Sequence, residues 1–117
     1  VAGIKYKQRE IILIPFPYSD LSSSKRRPCL IVSNNDYNNS HKDIVVCVIT
    51  SNLFKDDYSI PFGNTNLEYG LLPEDSVIKV HKLFTIEKTQ IIKKFSVLKK
   101  NHFITINTAL NNLFKVD

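Results

Sequence analysis

The apolar positions of this chain fall in short, closely spaced runs. Glu10–Phe16 (EIILIPF) is apolar at nearly every position, the pattern of a strand covered on both faces, so a central or closed-over strand is predicted there. Pro28–Asn34 is a second apolar run, and Asp43–Thr50 (DIVVCVIT) is a third and the clearest. Between them lie PYSDLSSSKRR and NNDYNNSHKD, both dense in turn-favouring residues and both predicted as loops. A fourth strand is predicted at Asp57–Pro61, followed by the loop FGNTNLEYGLLPEDS, and a fifth at Ser76–Leu83. Alternation in the fifth puts Val77, Lys79 and His81 on one face, and Ile78, Val80 and Lys82 on the other.

Then the period changes. Thr85–Lys88 (TIEK) reads as a single helical turn with Thr85 as its N-cap, and Ile91–Phe95 as a further short strand. From Lys99 onward Phe103, Ile106, Leu110, Leu113 and Phe114 recur at spacings of three and four. That spacing predicts an amphipathic C-terminal helix laid against the sheet. Its Thr and Asn residues lower intrinsic propensity, so packing must hold it. Five or six short strands closed off by one helix give the expected fold class: mainly β, a small, strongly curved antiparallel barrel with a C-terminal helix.

Composition adds bounds. With 117 residues the chain is expected to be one domain, 1–117, around a single modest core. Its apolar runs are far too short to span a bilayer, and its first ten residues have no secretory-type apolar core. A cytoplasmic protein without membrane contact is expected. Cys29 and Cys47 sit inside apolar runs and read as buried free thiols. Neither lies in a cluster with metal-ligand spacing, so no metal and no cofactor is expected.

Charge changes the picture more. The formal net charge is +5, and it is unevenly spread. Residues 1–27 hold six Lys/Arg against two acids, residues 79–100 seven Lys against one Glu, and residues 53–76 one Lys against five acids. Two basic blocks flanking an acidic one suit a polyanion or an acidic protein partner, or a solvated surface. The sharpest feature is SKRRPCLIVSN, where Lys25, Arg26 and Arg27 run into Pro28. Proline restricts the preceding residue to extended geometry, so Arg27 is anchored at a strand mouth. A guanidinium there matches two phosphate oxygens at once.

The segments EIILIPFPYSDLSSSKRRPCLIVSN, DIVVCVITSN and LLPEDSVIKVHKLFTI, in that order, resemble the MazF/PemK family of toxins from toxin–antitoxin pairs. The resemblance runs from about Arg9 to Phe95, and Arg27-Pro28 with Ile49-Thr50-Ser51 are its most specific parts. The family usually opens its first strand with Gly-Asp or Gly-Glu, where this chain has Arg9-Glu10. The resemblance implies an SH3-like barrel that pairs as a homodimer, cuts single-stranded RNA (mRNA) at short sequences without a metal, and leaves 2′,3′-cyclic phosphate and 5′-hydroxyl ends. It also implies a cognate antitoxin whose acidic tail covers the RNA groove.

By the same resemblance Arg27 and Thr50 match the family's catalytic arginine and threonine. Read from the residues alone, Thr50 is a β-branched strand end whose hydroxyl caps a turn. Ser51 beside it is a second possible phosphate donor. Some members of the PemK branch place an arginine and an aspartate where Lys79 and His81 stand. Here His81 is the candidate general base or acid and Lys79 a phosphate-neutralising cation, the alternative being two exposed residues on a polar sheet face. Lys25 and Arg26, placed in the serine-rich loop, are assigned to backbone steering. Asn34, Asn35 and Tyr18 are candidates for reading or stacking on unpaired bases, or are turn residues and a surface tyrosine. Other functions remain: a CcdB-like gyrase-poisoning toxin, against which stands the absence of Trp; a non-catalytic RNA-binding barrel; and a degenerate toxin that only binds its antitoxin.

Overall fold

A computed structural model describes residues 3–15, 26–53 and 56–117. Six strands, β1 (Glu10–Pro15), β2 (Arg26–Ile31), β3 (Asp43–Thr50), β4 (Ser59–Phe62), β5 (Ser76–Glu87) and β6 (Lys93–Val97), form one sheet in the order β4-β5-β3-β2-β1-β6. Every neighbouring pair is antiparallel. The sheet curls into a half-barrel, and its two edges are drawn together beyond the strands. Leu67 bridges Leu98, Glu68 N donates to Val97 O at 2.8 Å, and Lys99 N donates to Asn66 O at 2.8 Å. The fold is therefore mainly β and antiparallel, with the terminal helix α2 (Lys100–Leu113) against it.

Apolar residues at consecutive positions are explained by a sheet buried on both faces. Ile11, Leu30, Cys47, Ile49 and Ile78 form one cluster with Leu98 and with Phe103 and Ile106 of α2. Their strand neighbours Ile12, Ile14, Cys29, Ile31, Ile44 and Val46 form the second with Tyr6 and Ile86. Cys29 and Cys47 are buried free thiols, one in each cluster. Burial pushes the Cys29 thiol up to about 12, and the Cys47 thiol is raised by burial and by the neighbouring Cys29.

Several expectations are corrected. Arg26 and Arg27 belong to β2, opposite Pro15 and Ile14, so Arg26 is a strand residue and not part of the loop. Residues 35–40 of the supposed loop form a short helix, α1 (Asn35–Ser40). Asn34 Oδ1 accepts from Tyr37 N at 2.8 Å, Asn38 Nδ2 donates to Ser33 O at 2.9 Å, and the Tyr37 and His41 rings stack at 3.9 Å. A polar cap and an i,i+4 ring pair make this helix, so it has no apolar stripe to reveal it. Thr85 is no cap. It sits in β5 opposite Val45, and the turn comes later, as a 3₁₀ segment at Lys88–Gln90. Phe103 and Ile106 of α2 are buried, but Phe114, just past the end of α2, is 68% exposed.

Two positions depart from regular strand geometry. Arg9 has φ +80°, the left-handed region that favours glycine. It is held there by Arg9 N donating to Ile31 O at 3.0 Å and Leu98 N donating to Arg9 O at 2.8 Å. In β5 the register against β3 jumps from Lys79↔Val48 to Leu83↔Cys47. Val80, His81 and Lys82 thus bulge out of the ladder and bend the strand.

Candidate active site

The start of β2, the end of β3 and the first half of β5 meet at one end of the sheet. Cys29 pairs with Val48, and continuing that antiparallel register brings Arg27 beside Thr50. Across β3, Thr50 pairs with Val77 and Val48 with Lys79; Lys79 also pairs with Ser59 of β4. A cleft of about 420 Å³ opens here. Arg27, Thr50, Asn52, Asp56, Lys79 and Lys82 supply its polar lining, over Val48 and Ile49. Arg27, Thr50 and Lys79, expected from the sequence, are thus brought together from three strands.

Asp56 is the organising group that sequence reasoning missed. Its Oδ1 accepts from Tyr58 N at 2.9 Å and from Ser59 Oγ at 3.0 Å. Its Oδ2 lies 3.6 Å from Lys79 Nζ and 3.8 Å from His81 Nε2. Lys79 Nζ in turn donates to Ser59 Oγ at 2.8 Å. The Tyr58 N–H above all, with the Ser59 hydroxyl and the neighbouring Lys79 and His81 adding to it, holds the Asp56 carboxyl below its usual range although burial pushes the other way. Lys79 is buried, only 8% exposed, which contradicts the exposed-face alternative for it. A buried ammonium persists where hydrogen bonds and a counter-ion compensate its desolvation. The only signal in the sequence was an acid in a loop between two strands, and its partner lies 23 positions away across the β4–β5 pairing.

Thr50 makes the turn contact considered for it. Its Oγ1 accepts from Asn52 N at 3.1 Å, a turn-forming contact that leaves the hydroxyl proton to donate elsewhere. His81 does not line the cleft. It stands behind Asp56 with Nε2 toward that carboxylate, Nδ1 buried without a hydrogen-bond partner among the described residues, and the Tyr58 ring 6.1 Å away. Ser51 and Arg26 are exposed and outside the cleft lining. Asn34 and Asn35 lie beyond the other end of β2, roughly 20 Å from Arg27 at about 3.3 Å per residue. There Asn34 caps α1, and Asn35 Oδ1 accepts from Gln8 N at 2.9 Å. Lys25 and Tyr18 lie outside the described residues. Among the described residues no group of three or more His, Cys, Asp or Glu could hold a metal ion, and no helix is long and apolar enough to cross a membrane.

Residues 7–114 match the family model of the PemK-like, MazF-like toxin of type II toxin–antitoxin system. The chain belongs to this family, whose toxins include known endoribonucleases. Solved structures share the fold. One is an endoribonuclease in complex with its cognate antitoxin from Mycobacterial species, with TM-score 0.78 and 19% identity over 96% of this chain and 97% of that one. Another is the Mycobacterium tuberculosis toxin MazF-mt6, with TM-score 0.74 and 20% identity over 93% and 99%. A third is a chain of a MazE-MazF crystal structure (Form-II) from Deinococcus radiodurans, with TM-score 0.74 and 12% identity over 98% and 100%. Comparison with curated proteins finds no match.

Proposed function

We propose that this chain, acting as a single toxin domain, is a metal-independent endoribonuclease that cuts single-stranded RNA, mRNA included, and so inhibits translation and growth. The observation that carries this reading is the convergence of Arg27 and Thr50, the two residues matching the family's catalytic pair, on one cleft with Lys79 and Lys82. In the proposed step the 2′-oxygen attacks the adjacent phosphorus and its proton is removed. The P–O5′ bond breaks, the departing 5′-oxygen takes up a proton, and the products are a 2′,3′-cyclic phosphate and a 5′-hydroxyl. The Arg27 fork binds two non-bridging oxygens as negative charge builds on the phosphate. The Thr50 hydroxyl donates to one of them, and Lys79, held by Ser59 and Asp56, supplies a fixed positive charge. His81 carries the side chain suited to proton transfer near neutral pH, and since it stands behind Asp56 it acts through that carboxylate, which lines the cleft 3.8 Å from its Nε2. Ser51, Arg26 and Lys25 contact the backbone on either side of the cut.

The same reading gives the chain a cytoplasmic site of action, a cognate antitoxin with an acidic segment, and a homodimeric state. The structures of an endoribonuclease with its cognate antitoxin and of MazE–MazF support the antitoxin partner by likeness of fold. Exposed Ile104, Phe114 and Leu71 supply apolar surface that a second subunit would cover. The test is cleavage of a long unstructured RNA in EDTA by wild type, Arg27→Ala and Thr50→Ala, with fragment ends typed. Discrete fragments with cyclic-phosphate and 5′-hydroxyl ends, lost in both variants, are expected. RNA bound but never cut would favour a non-catalytic RNA-binding barrel instead.

A further inference from the structure

A second cavity, of about 370 Å³, adjoins the cleft and differs from it in kind. Leu53, Phe62, Gly63, Asn66, Asp75 and Val77 are among its walls, and among the described residues no Lys or Arg lines it. The two cavities are one rung apart: Thr50 of the cleft pairs directly with Val77 of the second cavity, and adjacent strands lie about 4.8 Å apart. A base attached to a ribose next to the phosphate in the cleft can therefore reach it.

Its polar groups are few and directional. Asp75 is exposed and in no ion pair among the described residues. Its Oδ1 lies over Gly63, 3.5 Å from where a Cβ would stand. Asn66 Oδ1 is occupied by Gly63 N at 2.9 Å, which turns its amide NH₂ into the available donor. Leu53, 52% exposed, offers an apolar surface against a flat ring. A bare carboxylate repels phosphate, so the cavity suits a base rather than the backbone. A carboxylate is acceptor-only, and among the four RNA bases only guanine presents two adjacent N–H donors, N1–H and N2–H, on its Watson–Crick edge. Its O6 then needs a donor, which the Asn66 amide supplies.

We propose that this cavity is a guanine-reading subsite one nucleotide from the scissile phosphate, with Asp75 as its specificity-determining residue. The placement beside a cut rests on the ribonuclease reading above; the recognition of guanine does not. Two measurements separate them. In the first, the 5′-monophosphates of guanosine, adenosine, cytidine and uridine are titrated into the wild-type protein and Asp75→Asn, with amide NMR shifts followed at Gly63, Asn66 and Ser76. The phosphate is common to all four, so differences belong to the base. Guanosine monophosphate should move these amides at roughly ten-fold lower concentration than the others, and Asp75→Asn should remove that preference while the rest of its spectrum stays folded. Equal response to all four nucleotides overturns the subsite. In the second, cut sites in a random RNA pool are sequenced. A guanine fixed at one position flanking the cut in wild type and relaxed in Asp75→Asn supports the placement, and cut sites without guanine there overturn it. Selective guanosine binding with no RNA cleavage would support the guanine subsite while refuting the ribonuclease reading.

Discussion

The Asp56 carboxylate makes the electrostatics of the cleft testable with opposite signs. Among the described residues three cations, Arg27, Lys79 and Lys82, and one carboxylate line the cleft, and Asp56 is held ionised. Binding of a single-stranded phosphate backbone releases about 0.7 counterion per phosphate neutralised. With Asp56 in place these four groups present two net positive charges, so their share of the slope of log K against log[salt] is about −1.4. Lys82→Met removes one charge and should make the total slope shallower by about 0.7. Asp56→Asn removes the internal counter-ion and should make it steeper by about 0.7, with tighter binding at low salt. The same substitution takes away what fixes Lys79 and faces His81, so cleavage at saturating RNA should slow even as binding tightens. The assay is fluorescence anisotropy with a 2′-deoxy-substituted oligonucleotide, which cannot be cut, over a salt series at one pH, followed by single-turnover cleavage of the RNA version. Cations elsewhere contribute equally to every variant and cancel in the differences. A slope unchanged or shallower in Asp56→Asn would refute the counter-ion role. An unchanged slope in Lys82→Met would mean that the RNA backbone does not run through this cleft.

Arg9, held at φ +80° with its Nη1 donating to Leu98 O at 3.0 Å, should lose about 1–2 kcal/mol of stability on substitution by Ala through that hydrogen bond. Arg9→Gly loses the same bond but relieves the left-handed strain, so it should be more stable than Arg9→Ala by about 1 kcal/mol, a few degrees in Tm; equal Tm values for the two variants would show a backbone free to relax. The buried thiols set an alkaline limit. Because the pKa of Cys29 is raised from 9.0 to about 12 in the folded chain, its contribution is intact below pH 9. It is lost as pH rises towards 12, at about 1.4 kcal/mol per pH unit. Urea midpoints at pH 8, 9 and 10 should fall accordingly for wild type and less for Cys29→Ala. In the native protein at pH 8 both thiols should be inert to a disulfide reagent and react only on unfolding.

The fold was legible where one signal dominated. Asp43–Thr50 reads as a strand and is one, with those bounds, because eight residues of β-branched and apolar character leave no competing structure. The terminal helix was visible through Phe103 and Ile106, whose spacing is a packing requirement; Phe114 fits the same spacing yet faces outward, since periodicity says nothing of where the opposing sheet stops. Thr85 was misread because Thr favours both N-caps and strands, and the strand pairing with Val45 decides it. Of the cleft, Arg27, Thr50 and Lys79 could be named in advance by likeness to a family. Asp56 could not. Its importance comes from the β4–β5 register that sets Ser59 opposite Lys79, a long-range fact with no local trace. At Arg9, where the family usually has glycine, the backbone is left-handed, and arginine occupies that position with a compensating bond to Leu98 O.

The three residues of β5 that stand outside the ladder, Val80, His81 and Lys82, have a consequence for how such a protein changes over generations. A side chain in a paired strand answers to its neighbour across the ladder, and a one-residue slip there inverts both faces of the sheet. A bulge answers to neither. Ser76–Lys79 and Leu83–Glu87 keep their partners whatever stands between them. Two of the three bulged residues, His81 beside Asp56 and Lys82 in the cleft, are thus free to vary in charge and proton affinity while the frame is inherited unchanged. New chemistry at this end of the sheet can arise by point substitution without re-solving the fold.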